Sequence, residues 1–160
     1  MLEPSRVDTI LKNKESVSGL GILQVFIGLG AVGGGLALVL EPSGANLGIP
    51  LELLKSSPFS TFLVPGVVLL AVNGLGSLVG AAASFARYRY AGETAMALGV
   101  FLVAWIVLQV YWIRAFHWLH ALYLGLGILE FALGWSLRKA LRRGMDWLPN
   151  TPLQRRRAKR

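Results

Sequence analysis

The chain has 160 residues, a size for one domain, with 54% hydrophobic and only 15% charged side chains and a mean hydropathy of +0.58. A soluble domain carries about 25% charged residues, so the composition points away from an ordinary water-soluble fold. Cysteine is absent, which excludes disulfides, thiol catalysis, iron–sulfur clusters and cysteine-based zinc sites. The net charge of +8 comes largely from the last residues and carries no sign of nucleic-acid binding.

Charge is strongly segregated along the chain. No charged side chain occurs in 16–40, 56–86 or 94–113, and 115–137 holds only Glu130 beside His117 and His120. A hydrocarbon core about 30 Å thick needs roughly 20 apolar residues of helix at a rise of 1.5 Å each. All four runs reach that length, and so short a chain has too little polar surface to hide four such helices in water. The expected fold class is all-α: a polytopic membrane protein whose four transmembrane helices form an antiparallel bundle. The expected spans are about 19–40, 59–86, 94–113 and 118–137 within a transmembrane domain of 19–143, between an N-terminal cytoplasmic segment of 1–18 and a basic cytoplasmic tail of 144–160.

The leader 1–18 is mixed in charge and no A-x-A-like cleavage site follows the first apolar run. It reads as the approach to an uncleaved first span. In that span Gly28-Leu29-Gly30-Ala31-Val32-Gly33 matches the dinucleotide fingerprint letter for letter, but no strand precedes it and the run is apolar throughout, so the match is accidental. Gly30 and Gly34, like Gly76 and Gly80 in the second span, are four apart. Small residues at that spacing let helix backbones approach closely, within one bundle or between two copies. The first outer loop, 41–58, opens with turn residues and continues as Pro50-Leu51-Glu52-Leu53-Leu54-Lys55. Proline suits a first helical position, so a short amphipathic helix on the membrane surface is expected there. Pro65 comes early enough in the second span to be a first-turn residue or a mild kink. The two later connections are tight, which makes the last three spans neighbours.

Orientation follows from the cations. Fourteen of the sixteen lysines and arginines precede the first span, join the second to the third, or follow the fourth; only Lys55 and Arg114 fall on the other side. An even number of spans and this bias together put both termini in the cytoplasm, in a plasma or inner membrane. Tyr111, Trp112, Phe116 and Trp118 mark the outer interface; Tyr88, Tyr90, Trp135 and Trp147 mark the inner one. The tail residues Arg155, Arg156, Arg157, Lys159 and Arg160 are expected to bind lipid head groups, each gaining about 1 kcal/mol near an anionic surface.

Three sets of residues could carry chemistry. Glu130 is the one acidic residue inside an expected span, where an unpaired carboxylate is costly. Tyr123, Gly127 and Gly134 share its broad face at 100° per residue, and Gln24, Asn73, Ser77 and Gln109 are candidate partners on other helices. Two readings are open: a ligand-binding seam of Glu130, Tyr123, Asn73, Gln24 and Gln109, or a structural Glu130, either protonated and hydrogen-bonded across the bundle or snorkelling toward the cytoplasmic face. His117 and His120 are three apart, a spacing that can hold a metal with Glu41 or Glu52; interfacial anchoring is the competing reading. Arg114 beside them could pair with a loop carboxylate or lipid phosphate. No nucleophile–base–orienter set, Walker loop or H-E-x-x-H motif is visible, so no catalytic residue is assigned.

A glycine-rich span, an outer loop with Pro50-Leu51-Glu52-Leu53-Leu54, then three closely linked spans resembles the DoxX-like group of small four-helix bacterial membrane proteins. The stretch from Ser57-Pro58-Phe59-Ser60 through Pro65-Gly66 to Asn73-Gly74-Leu75-Gly76 is similar to small bacterial membrane proteins of the same kind. The resemblance implies the four-helix architecture, and for some members an association with quinone-linked oxidoreductase complexes; this chain shows no cofactor ligand for that role. The expected function is a non-enzymatic accessory, assembly or lipid-interacting subunit. The alternatives are a small-ligand or lipid carrier with a site around Glu130, and a quinone- or lipid-linked enzyme subunit. The expected partners are membrane lipids and a second copy or another membrane protein, with no cofactor and no nucleic acid.

Overall fold

The computed structural model describes residues 4–114 and 116–146, with side chains for 17–114 and 116–140. The described residues are helical with no strand, and four helices are long and apolar enough to cross a membrane: Val17–Leu40, Leu63–Phe85, Ala91–Ile113 and Trp118–Ala140.

The first helix, α1 (Pro4–Leu40), is longer than its apolar run. No proline interrupts it between Pro4 and the loop. Residues 4–18, in the expected N-terminal segment, are helical and continuous with the first span. The second apolar run is built in three pieces without a break: α2 (Leu63–Val68), a π-helical stretch Leu69–Gly76, and α3 (Ser77–Phe85). Pro65 falls in the first turn of α2 and is buried there. α4 (Ala91–Ile113) and α5 (Trp118–Asp146) complete the set, and α5 runs past the expected end of the last span.

The connection after α3 closes on an arginine. Arg87 takes φ 52°, its N–H donates to Ser84 O at 3.0 Å, and the Tyr88 N–H donates to Ala83 O at 2.9 Å. These bonds satisfy the last carbonyls in the pattern that glycine usually serves. Arg114, φ 51°, ends α4 with its N–H on Val110 O at 3.0 Å.

Glycine sets how closely the helices pack. A Cβ added to Gly99 on α4 would lie 2.6 Å from Gly127 O and 2.8 Å from Phe131 N on α5, and one on Gly92 would lie 2.7 Å from Arg138 N and 2.8 Å from Gly134 O. Gly35 on α1 approaches Leu70 N to 2.7 Å in the same sense, and Gly28 approaches Gly74 O to 3.1 Å. Two backbone-to-backbone pairs result, α4 with α5 and α1 with α2 and the π stretch. The four glycines picked out by their spacing of four make room for side chains instead: Gly30 for Tyr123 Oη, Gly34 for Leu69, Gly76 for Leu98, and Gly80 for Gln24 and Leu98.

The polarity of the molecule is inverted relative to a soluble bundle. Gln24, Asn73, Ser77, Ser84 and Glu130 are buried, whereas Phe26, Leu29, Leu40, Val79 and Tyr111 are more than half exposed. Between α1 and α2 the loop folds back over the helix ends. The Phe62 N–H donates to Pro42 O at 2.8 Å, Leu54 and Phe62 pack on Leu38, and Phe59 meets Trp112 edge-on with centroids 5.2 Å apart. Where a short amphipathic helix was expected after Pro50, there is one turn of 3-10 helix, Leu51–Leu54, with Leu54 buried. Ser43 donates through both N–H and Oγ to Glu41 Oε1, which holds the Glu41 carboxyl below its ordinary range.

Candidate functional site

Four of the five buried polar residues sort into two places, and Ser77 belongs to neither. The first is a chain of hydrogen bonds through the bundle. Ser84 Oγ on α3 donates to Gln24 Oε1 on α1 at 2.8 Å, and Gln24 Nε2 donates to Glu130 Oε1 on α5 at 3.0 Å. All three side chains are 0% exposed. A glutamine suits the middle position because its amide accepts at one atom and donates at the other. Gly80 creates the space: a Cβ there would stand 2.8 Å from Gln24 Nε2. Glu130 Oε2 has no hydrogen-bond partner among the described residues. The chain ties α1, α3 and α5 together through side-chain hydrogen bonds.

The second place is a cavity of about 760 Å³ between the helices, under the loop. Its walls come from α1 (Ile27, Gly30, Ala31, Gly34, Leu38), α2 and the π stretch (Pro65, Leu69, Asn73), α4 (Leu102, Trp105, Ile106, Gln109, Trp112) and α5 (Leu119, His120, Tyr123). Loop residues including Ile49, Leu54, Phe59 and Phe62 also line it. No aspartate, glutamate, lysine or arginine is among its lining residues. Asn73 is 2% exposed and Trp105 7%, yet Asn73 Nδ2 and Trp105 Nε1 have no hydrogen-bond partner. Asn73 belongs to the π stretch; such insertions in a helix recur at functional sites because they re-aim side chains.

The five residues expected to form one seam are thus divided. Asn73, Gln109 and Tyr123 line the cavity, while Gln24 and Glu130 are joined in the hydrogen-bonded chain and are not among the cavity's lining residues. Gly127 and Gly134, on the broad face of Glu130, are used for the approach to α4. Ser84 and Trp105 were missed. Ser84 lies two helical turns after Ser77, a spacing that puts both on one face, and a tryptophan mid-span needs a partner for its N–H.

His117 and His120 cap α5. The Leu119 N–H donates to His117 Nδ1 at 3.4 Å, and the His117 N–H donates to His120 Nδ1 at 3.0 Å. A side chain three residues into a helix reaching back to the capping N–H is one arm of a capping box, here made by imidazole. Among the described residues no group of three or more His, Asp or Glu is placed to hold a metal, so Glu41 and Glu52 are not gathered around the pair. Arg155, Arg156, Arg157, Lys159 and Arg160 lie outside the described residues. On the described part of the same end, Glu93 pairs with Arg138 at 3.2 Å, Arg89 lies 4.3 Å from the Tyr90 ring centre and Lys139 5.0 Å from that of Trp135. Comparisons with protein-family models, curated proteins and solved structures return no match for this chain.

Proposed function

We propose that this chain is a multi-pass protein of the cell membrane, an antiparallel four-helix bundle with both termini in the cytoplasm, which binds a small lipophilic ligand in the cavity under its outer loop. The cavity carries this reading. Its volume of about 760 Å³ falls within the range of about 300–1,000 Å³ usual for ligand sites, and a mainly apolar wall with a few polar groups is their usual make-up. The inverted polarity supports the membrane setting, because exposed large apolar side chains on all four helices would form an insoluble surface in water. The role is that of a binder or carrier rather than a catalyst, with lipid as its natural surrounding.

The test uses the tryptophans in the cavity wall as reporters. With the purified protein in detergent micelles, a brominated C18 lipophile quenches emission from Trp105 and Trp112 saturably. Gly34 lines the cavity, and a Cβ there would meet only Leu69, at 3.5 Å, so Gly34→Leu fills the space and weakens that quenching. Quenching that rises linearly in both proteins, as partitioning alone would give, refutes the reading.

A further inference from the structure

Resting on the binding role just given, the identity of the two orphaned donors narrows the ligand. We propose that the cavity selects a neutral lipophile that carries a hydrogen-bond-accepting oxygen, an ester or ketone carbonyl, and seats that oxygen at the deep end against Asn73 and Trp105.

The depth of the two groups follows from the packing. Cβ atoms on Gly76 and Gly80 would lie 3.3 and 2.9 Å from the Leu98 side chain, so Leu98 stands opposite that turn. Toward the loop, Asn73 is three residues from Gly76 and Trp105 seven residues from Leu98. A rise of 1.5 Å per residue places the two within about one helical turn in depth. Tyr123, whose hydroxyl rests on Gly30, completes the polar end. Indole N–H donates only, and the amide nitrogen of Asn73 donates; two buried donors without partners call for an acceptor. A buried donor left without one is costly, and a ligand oxygen removes that cost at both.

Charge is excluded by the same wall. The only ionisable groups of the wall besides tyrosine are His117 and His120 at its loop end, so a carboxylate or phosphate drawn to the deep end would lose its hydration with no counter-charge there. A plain hydrocarbon would fit the apolar wall and leave both donors unpaired. The neutral carbonyl compound satisfies both conditions.

Three probes of one chain length separate the cases: methyl 9,10-dibromostearate, 9,10-dibromooctadecane, and 9,10-dibromostearate at alkaline pH, each titrated against tryptophan emission. The ester binds the wild type about tenfold more tightly than the alkane, the gain of two modest hydrogen bonds, and more tightly than the carboxylate. Asn73→Leu, which keeps all five tryptophans, loses most of the ester preference while still binding the alkane, and Trp105→Phe loses part of it. Saturable binding of ester and alkane with equal affinity overturns this proposal and leaves the binding role standing. Absence of saturable quenching by any probe overturns both. The wild-type comparison decides the matter even if a variant fails to fold.

Discussion

Replacing Gly99 by alanine tests the packing on which the bundle depends. The added Cβ would stand 2.6 Å from Gly127 O and 2.8 Å from Phe131 N, against an ordinary contact of at least 3.4 Å. Both neighbours are backbone atoms, so no side chain can swing aside; α4 and α5 must separate by about 0.8 Å along that line, the difference between 3.4 and 2.6 Å. In the proposed lipid setting the helices are held by dispersion rather than by hydrophobic exclusion, and a gap of 0.5–1 Å forfeits about a quarter to a half of each contact. Overpacking costs about 1–3 kcal/mol, and two backbone clashes place this site near the top of that range. Alanine returns roughly 1 kcal/mol of helix propensity, leaving a net loss of about 2 kcal/mol. Gly125→Ala is the matched control, because its Cβ would meet nothing within 4 Å. Equilibrium unfolding in mixed micelles, or thermal unfolding followed by tryptophan emission, should rank Gly99→Ala well below wild type and Gly125→Ala level with it or above. Equal stability of the two variants would refute the close approach of α4 and α5.

The buried hydrogen-bond chain predicts a graded response in the same unfolding assay. Gln24→Leu strands both Ser84 Oγ and Glu130 and should cost about 2–4 kcal/mol, whereas Ser84→Ala removes one end and should cost about 1 kcal/mol; a Gln24→Leu protein as stable as wild type would show that the three helices are not tied there. At the start of α5, His120→Ala should lose about 1 kcal/mol with the cap, and His120→Gln, whose amide oxygen can reach back in the same way, should recover most of it. Stabilisation of the wild-type protein by added zinc, with no recovery by glutamine, would favour a metal role over capping. Because the chain lacks cysteine, single-cysteine labelling reads the orientation directly. Glu52→Cys should react with an impermeant maleimide on intact cells, and Arg87→Cys, likewise exposed in the structure, only after permeabilisation; the reverse order would invert the topology.

The four helices could be read from the sequence because the signal is long and one-dimensional. Twenty or so residues without charge mark a segment that can cross hydrocarbon whatever its neighbours do, and turn residues such as Glu41-Pro42-Ser43-Gly44 mark where the chain leaves it. Boundaries were less legible. Residues 4–18 join α1 because a segment of mixed charge with no proline after Pro4 continues the helix, and Arg87 could stand where glycine is usual because Ser84 O and Ala83 O still find donors. The 3-10 turn at Leu51–Leu54 arises because Leu54 is drawn onto Leu38 and Phe62 rather than onto a membrane surface.

The candidate site was legible only as a set of residues. Polar side chains in apolar runs announced Gln24, Asn73, Gln109, Tyr123 and Glu130, since each must find a partner or a solvated space in a low-dielectric interior. Which of them meet depends on helix rotation and depth, and these are decided by glycine contacts between distant segments, Gly99 with Gly127 and Gly28 with Gly74. A repeat of seven on both α4 and α5, Gly92 with Gly99 and Gly127 with Gly134, was present in the letters but says nothing of its counterpart until the two helices lie together. Composition and the spacing of charge thus determined that this is a chain of four apolar helices. The folded molecule alone decided that Glu130 is tied to Gln24 while Asn73 lines a mainly apolar cavity, because side-chain partnership is a property of three-dimensional register, which a linear pattern does not encode.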